Sequence, residues 1–542
     1  MGPESVAMDS GEKRLLDLGY KQELRRTLSL ISNFAFTSAI ICPFSGITVL
    51  FTISLTYGGT ISFTWGWLIV GFFTLCIGAS MAEICSAYPT SGGLYFWSAQ
   101  LAGLKWKPFA AWITGWFNVV GQWAGTCSAM FALAQVLQII VLLSTGGANG
   151  GGYILSRNQI VGVHGGLLVS LGLLNSFPIQ WLDYIGLFSV VWQLIGTAFL
   201  IVIIPAVAKE RQSASFVWTS FNVVPELGLP SRPYVFLLGL LASHFALVGF
   251  DMSAHMTEET KRSDKNGAYG ILSSLAIAIV VGYAYILALS FVMMDPAALL
   301  DPGNDAGGYA VAQLFYELFK SRYGSGTGGI LCIGIVAVSI YVGGVAGVLS
   351  NSRRNSNIAT WCSNGFRMVF AFSRDGALPF SKLWHKVNRH DVPINAVWLS
   401  VVIAFIMVLP SLGSLVAFQA IVSIATVALY ISYALPTLFR ITAARRTFEP
   451  GPVTLGPRWV SLTIGWVAVV WVGIITVLFS LPVAYPVTKQ TLNYTPVAVG
   501  GLFVLVVVSW VVYAHKWFQG PHSNLDSSSR PHDGGNSKLV YA

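Results

Sequence analysis

The chain has 542 residues, 54% hydrophobic and only 10% charged, with 18 Trp, 20 Tyr and 33 Phe, whereas soluble domains carry roughly 25% charged residues. That composition excludes a soluble globular protein and leaves an all-α polytopic membrane protein. The net charge of +9 then reads as orientation, through its distribution among loops, and no nucleic-acid partner is expected; membrane lipid surrounds the chain.

Bilayer hydrocarbon about 30 Å thick needs about 20 apolar residues per helix, and about twelve spans start near Phe34, Trp67, Trp112, Ile160, Tyr184, Val235, Ala268, Gly329, Ile394, Leu415, Ser461 and Pro496. Residues 1–33 form a polar tail with no short apolar core before a small-residue cleavage site, so no removable signal peptide is expected and span one is the anchor. Within that tail, Arg14 to Tyr20 mixes apolar and charged residues and suits a membrane surface or solvent equally. Span one is interrupted at Cys42-Pro43-Phe44-Ser45-Gly46. After span two, Leu94-Tyr95-Phe96-Trp97 predicts a short interfacial helix where aromatic rings settle. The segment from Ser213 to Pro233 holds Pro225, Gly228, Pro230 and Pro233 and is predicted to be an ordered loop or cap. Span six is interrupted at Gly249-Phe250-Asp251. Tyr309 to Tyr323 has apolar residues at helical spacing and reads as a helix across the mouth or a plain loop helix. Residues 519–542 are rich in Ser, Gly, Pro, Asp and His and are predicted to be a disordered cytoplasmic tail, leaving 34–518 as the membrane domain.

The cysteines Cys42, Cys76, Cys85, Cys127, Cys332 and Cys362 are scattered without disulfide or metal spacing, so buried free thiols are expected and no metal. With the N-terminus placed inside, most of the 31 Lys and Arg fall in inner segments, which predicts both termini in the cytoplasm. The pattern does not distinguish plasma membrane from organelle. Asn493-Tyr494-Thr495 matches the glycosylation triplet, but Pro496 follows and modification is not expected.

A broken helix in hydrocarbon bares peptide groups at several kcal/mol each, so it survives only where a cavity, water or ligand satisfies them. Breaks in spans one and six, five spans apart, imply an inverted repeat of spans one to five on spans six to ten, and a carrier's binding site between the breaks. Pro43 as a simple kink and Gly249 as a packing residue explain each break taken alone.

Met81-Ala82-Glu83-Ile84-Cys85-Ser86-Ala87-Tyr88-Pro89-Thr90-Ser91-Gly92-Gly93-Leu94-Tyr95-Phe96-Trp97 resembles the signature after the second helix in the amino acid/polyamine/organocation superfamily. Gly249-Phe250-Asp251 with Ala254 to Thr260, and Ala371 to Pro379, are similar to its amino acid/choline branch. Leu18 to Leu24, Pro393 to Ser400 and Leu481 to Pro486 most resemble plant bidirectional amino acid transporters and the GABA permease group. The resemblance implies a five-plus-five helical fold with discontinuous helices 1 and 6. It also implies small amino acid substrates such as GABA, alanine, glutamate, arginine or lysine. Relatives run on where this chain inserts Arg354 to Arg367, an atypical cytoplasmic insertion (354–367).

An amino acid zwitterion needs a partner for each charge, and broken helices supply them without side-chain charge. The carboxylate is placed at Ser45, Gly46 and Ile47, where a half-helix start bares N–H groups, and the ammonium near Phe245, Ala246, Leu247 and Gly249. A leucine at Gly46 is expected to abolish binding by filling that cradle, and Cys76→Ala to change little. Asp251, an acid inside a span, is the gating or proton-coupling candidate. Asn118, Gln122 and Gln135 fall in span three, where Asn118 and Gln122 share a face and line the pathway or bond between helices; Gln193 and His244 read as satisfied bundle residues rather than ligands, and Glu83 as paired with a cytoplasmic base. Sodium-coupled relatives use span-eight hydroxyls, where this chain has Ser339 at depth and Ser350 near the end, and some proton-coupled relatives use a span-five lysine; facilitated exchange or a proton site at Asp251 are the modes left open here. No Lys or Arg stands between Asp183 and Ala208. No enzyme motif is present and no cofactor is expected. A choline or polyamine permease and a nontransporting receptor are the competing readings.

Overall fold

Apolar runs of this length satisfy their peptide groups away from water by coiling, and the chain does so throughout. The computed structural model describes residues 9–17, 26, 28–90, 92–177, 179–224, 227–229, 231–346, 369, 372–373, 375–384, 394–413, 417–488 and 491–521. Among these residues there are no strands beyond two isolated bridges, Leu28 with Thr260 and Tyr57 with Val223.

A tail helix α1 (Ser10–Asp17) precedes α2 (Leu30–Ile41), whose first turn is capped by the Ser29 side chain, and α3 (Pro43–Thr56). Then come α4 (Gly59–Ala87), the short α5 (Gly93–Leu101), α6 (Lys107–Ser144), α7 (Arg157–Leu174) with a Ser156/Gln159 capping box, and α8 (Ile179–Val207). After α9 (Ala214–Thr219), α10 (Arg232–Ala246) and α11 (Met252–His255) form the second interrupted span, followed by α12 (Ser263–Ser290), α13 (Pro296–Leu300), α14 (Ala310–Tyr323) and α15 (Thr327–Ala346). The chain closes with α16 (Ser381–Trp384), α17 (Ile394–Val408), α18 (Ala417–Ile441), α19 (Arg458–Leu478) and α20 (Thr495–Val512). Among the described residues, ten helical stretches are long and apolar enough to cross a membrane, with α2 and α3 together making one. The shorter α7 and α10 take the fourth and sixth places of the predicted order.

Packing follows small residues. Gly71 and Gly78 on one side of α4 let it lie against Ile279 and Leu275 of α12. α2 packs on α12 as α10 packs on α4, and α6 packs on α18 as α15 packs on α8. Exchanging spans one with six, two with seven, three with eight and five with ten maps each contact onto its counterpart, which is the relation an inverted repeat requires.

In the 213–233 segment a short helix, α9, forms a cap, Pro225 and Pro230 lying outside the described residues, and 309–323 holds the helix its spacing predicts. α9 sits over the turn between α3 and α4, where the Thr60 hydroxyl donates to the Phe216 and Ser220 carbonyls and Gly58 N–H to Asn222 O. α14 buries Val311, Leu314 and Phe315 and ties to the end of α3 through Ala310 N–H to Thr52 Oγ1 at 3.1 Å. Against expectation, α5 is no interfacial helix: Leu94, Tyr95, Phe96 and Trp97 are at most 2% exposed. Its polar tips find partners inside the protein, Trp97 Nε1 donating to Tyr88 O and Tyr95 to the Asp375 carboxylate, so the rings serve the core against α6 and α18. The 354–367 insertion, Ser350, Cys362 and residues 522–542 of the tail lie outside the described residues.

Candidate functional site

The first break is one residue wide. α2 ends with Cys42 in the left-handed region (φ 35°), its N–H still donating to Ser38 O, and α3 restarts at once on Pro43. Proline has no N–H to lose, and Gly46 N–H already reaches Cys42 O at 3.4 Å. The bare donors therefore belong to Phe44 and Ser45, a shift toward the N-terminus from Ser45, Gly46 and Ile47. Ile47 lies inside the turn, 2% exposed and off the cavity wall.

The second break is wider. The end of α10 tightens, with Leu247 N–H on His244 O and Val248 N–H on Phe245 O, and Gly249 then takes φ 101° before Met252 N–H closes on Gly249 O. A side chain at Gly249 would be strained by that backbone and would meet Ile40 at 2.8 Å. Among the described residues, the carbonyls of Ala246, Leu247 and Val248 accept no hydrogen bond, so acceptors stand opposite the donors of the first break.

Both breaks open on one cavity of about 200 Å³. Of the sequence candidates, Ser45, Gly46, Phe245, Ala246, Gly249 and Gln122 line it; Ile47, Leu247 and Asn118 do not. Leu247 is turned into the core at 0% exposed, and Asn118 donates to Ser432 Oγ at 3.2 Å, joining α6 to α18. No charged side chain is among the lining residues described.

Periodicity did not reveal Cys42, Thr126 or the pair Gly343 and Gly344, all on the wall. The one available signal was that Thr126 follows Gln122 by one helical turn. Ser339 also lines it, and its hydroxyl is 3.3 Å from Cys42 Sγ, which accepts from Ser45 Oγ at 2.8 Å. A thiol thus occupies the ground beside the span-eight hydroxyl. Beyond the wall, Gly46 touches the other half-helix: a Cβ there would lie 3.0 Å from Ala246 Cα.

Asp251 is wholly buried and off the cavity wall. Its carboxylate accepts from the Tyr433 hydroxyl at 2.9 Å and from Gln122 Nε2 at 3.5 Å, and His255 Nε2 is 3.5 Å away on the same helical face. Gln122 therefore touches both the cavity and the acid. His244 is satisfied: Trp471 Nε1 donates to Nε2, which leaves Nδ1–H for Leu240 O. Gln193 bonds Ser189 within α8. Glu83 accepts from the Ser461 hydroxyl and Leu455 N–H and faces Arg440 Nη2 at 3.8 Å, the guanidinium lying 4.0 Å over the Phe448 ring.

Two interrupted helices facing each other across a small uncharged cavity, inside an apolar bundle, define a membrane carrier for a small solute. The amino acid permease profile matches residues 28–504, and the chain belongs to that family within the amino acid/polyamine/organocation superfamily. It is similar to "Amino-acid permease BAT1 homolog" of Oryza sativa subsp. japonica, 58% identical over 518 residues that cover 96% of each chain. "Amino-acid permease BAT1" of Arabidopsis thaliana is 55% identical over 96% of this chain and 97% of its own. A more distant relative, "GABA-specific permease" of Saccharomyces cerevisiae, is 28% identical over 94% of this chain and 86% of its own. The relatives are permeases, not enzymes, and the chain is an integral multi-pass membrane protein.

Proposed function

We propose that the chain is a secondary transporter that carries small amino acids, GABA and alanine among them, by alternating access through this cavity. The reading rests on one observation: Ser45, whose N–H is bare, and Ala246 and Val248, whose carbonyls accept no hydrogen bond among the described residues, line the same cavity. A carboxylate favours the positive start of α3 and an ammonium the carbonyl end of α10, so a zwitterion meets both ends without a charged side chain on the wall. Phe245 supplies the apolar cover, and Gln122 carries the occupied state to Asp251, the gate and proton-coupling residue. Both termini face the cytoplasm in this reading, which the distribution of basic residues among the loops supports.

The test is uptake and efflux of labelled amino acids by the purified chain in sealed vesicles, with and without a pH gradient. Saturable flux that disappears when the substrate carboxylate is replaced by an amide or alcohol supports the assignment. Equal flux of choline, which has no carboxylate, overturns it, and ligand binding without flux identifies a receptor.

A further inference from the structure

The tail helix α1 is fastened to the membrane domain. Leu15 is 1% exposed, and a Cβ on Gly11 would run into Arg26 Nη1 at 2.2 Å and Ser263 Oγ at 2.6 Å. Ser10 Oγ donates to Asp264 Oδ1 at 2.9 Å in the first turn of α12, and Arg14 Nε to Ala87 O at the last residue of α4. Asp9 accepts from Arg262 N–H at 2.7 Å and pairs with Arg26 at 3.2 Å, while Arg26 also donates to Ser263 Oγ.

Just beyond, Leu28 exchanges backbone bonds with Glu259 and Lys261, and Asn33 bonds Ser253 and Thr260. These contacts join α2 to α11, the halves of the two broken spans that lie on the side of the N-terminal tail. Residues at the far ends of the joined pieces, Ile40, Ile41 and Gly249, line the cavity.

We propose that α1 is a regulatory strap. Docked, it ties Arg26, just before α2, to the ends of α4 and α12, so the cavity opens toward the tail only when these ends move together. Undocked, α2 and the α11 bonded to it move free of that anchor, break fewer contacts and open the cavity faster. The proposal concerns the motion and holds for whichever small solute is carried. Charge at Ser10 is the natural release, because its hydroxyl donates to the Asp264 carboxylate, and a negative group there removes the donor and repels Asp264.

Two full-length variants test it, Ser10→Asp by charge and Gly11→Leu by bulk. Undocking is read as faster backbone hydrogen exchange over residues 257–264. Opening is read as the rate at which N-ethylmaleimide alkylates Cys42 on the cavity wall, followed on its own peptide by mass spectrometry. Both variants are expected to speed alkylation by about threefold or more. Unchanged or slower Cys42 alkylation with faster exchange at 257–264 overturns the strap, as does unaltered exchange in both variants. Neither readout needs substrate, so a chain that moved no amino acid in vesicles would defeat the proposed function and leave this result standing.

Discussion

Gly249 is fixed by two independent demands, a backbone that side chains rarely adopt and an Ile40 methyl where a Cβ would go. Gly249→Ala adds strain of about 1–2 kcal/mol before the collision is counted. Initial uptake is expected to fall about tenfold or more, since 1.4 kcal/mol is a factor of ten; near-normal uptake would show that the break is not needed in this shape. Asp251→Asn keeps an acceptor for the Tyr433 hydroxyl but removes the ionisable proton site. Accumulation driven by an imposed pH gradient is expected to vanish while exchange of labelled for unlabelled substrate survives. Gradient-driven accumulation at the wild-type level would remove Asp251 from coupling.

At the level of elements, the glycines of α4 decide how near α12 comes. Gly78→Leu drives a side chain into Leu275, already 2.9 Å from the ideal Cβ, and overpacking of this kind costs about 1–3 kcal/mol. Thermal unfolding in detergent is expected to show the loss, with Gly473→Leu, whose Cβ meets nothing within 4 Å, as the neutral comparison. The breaks themselves were legible because Pro43 and Gly249 are local facts, a missing N–H and a missing Cβ. The position of the bare donors was not, since Cys42, a residue with no turn preference, takes the left-handed conformation and the helix resumes one residue later. Nor was the burial of α5: a run of Tyr, Phe and Trp reads alike for a membrane surface and for a core, and only Tyr88 O and Asp375, distant in the chain or across a turn, choose between them. The outcome for Gly46→Leu also changes cause, from filling a cradle to wedging α3 away from Ala246.

For the whole molecule, the exchange of spans one to five with six to ten was inferred from a count and a pair of defects, while the pairing α2 with α12 and α10 with α4 required coordinates. The orientation proposed from basic loops predicts that tags at both ends are cut by protease added to the cytoplasmic face only; cleavage of either tag from the opposite face would refute it. The contact between Gly46 and Ala246 has a mechanical consequence. On the side away from the termini the two fractured rods meet backbone to backbone at that point, close enough that even a methyl group would crowd it. On the tail side the pieces are held by hydrogen bonds. The proposed carrier is therefore expected to have a stiffer doorway on the far side than on the tail side.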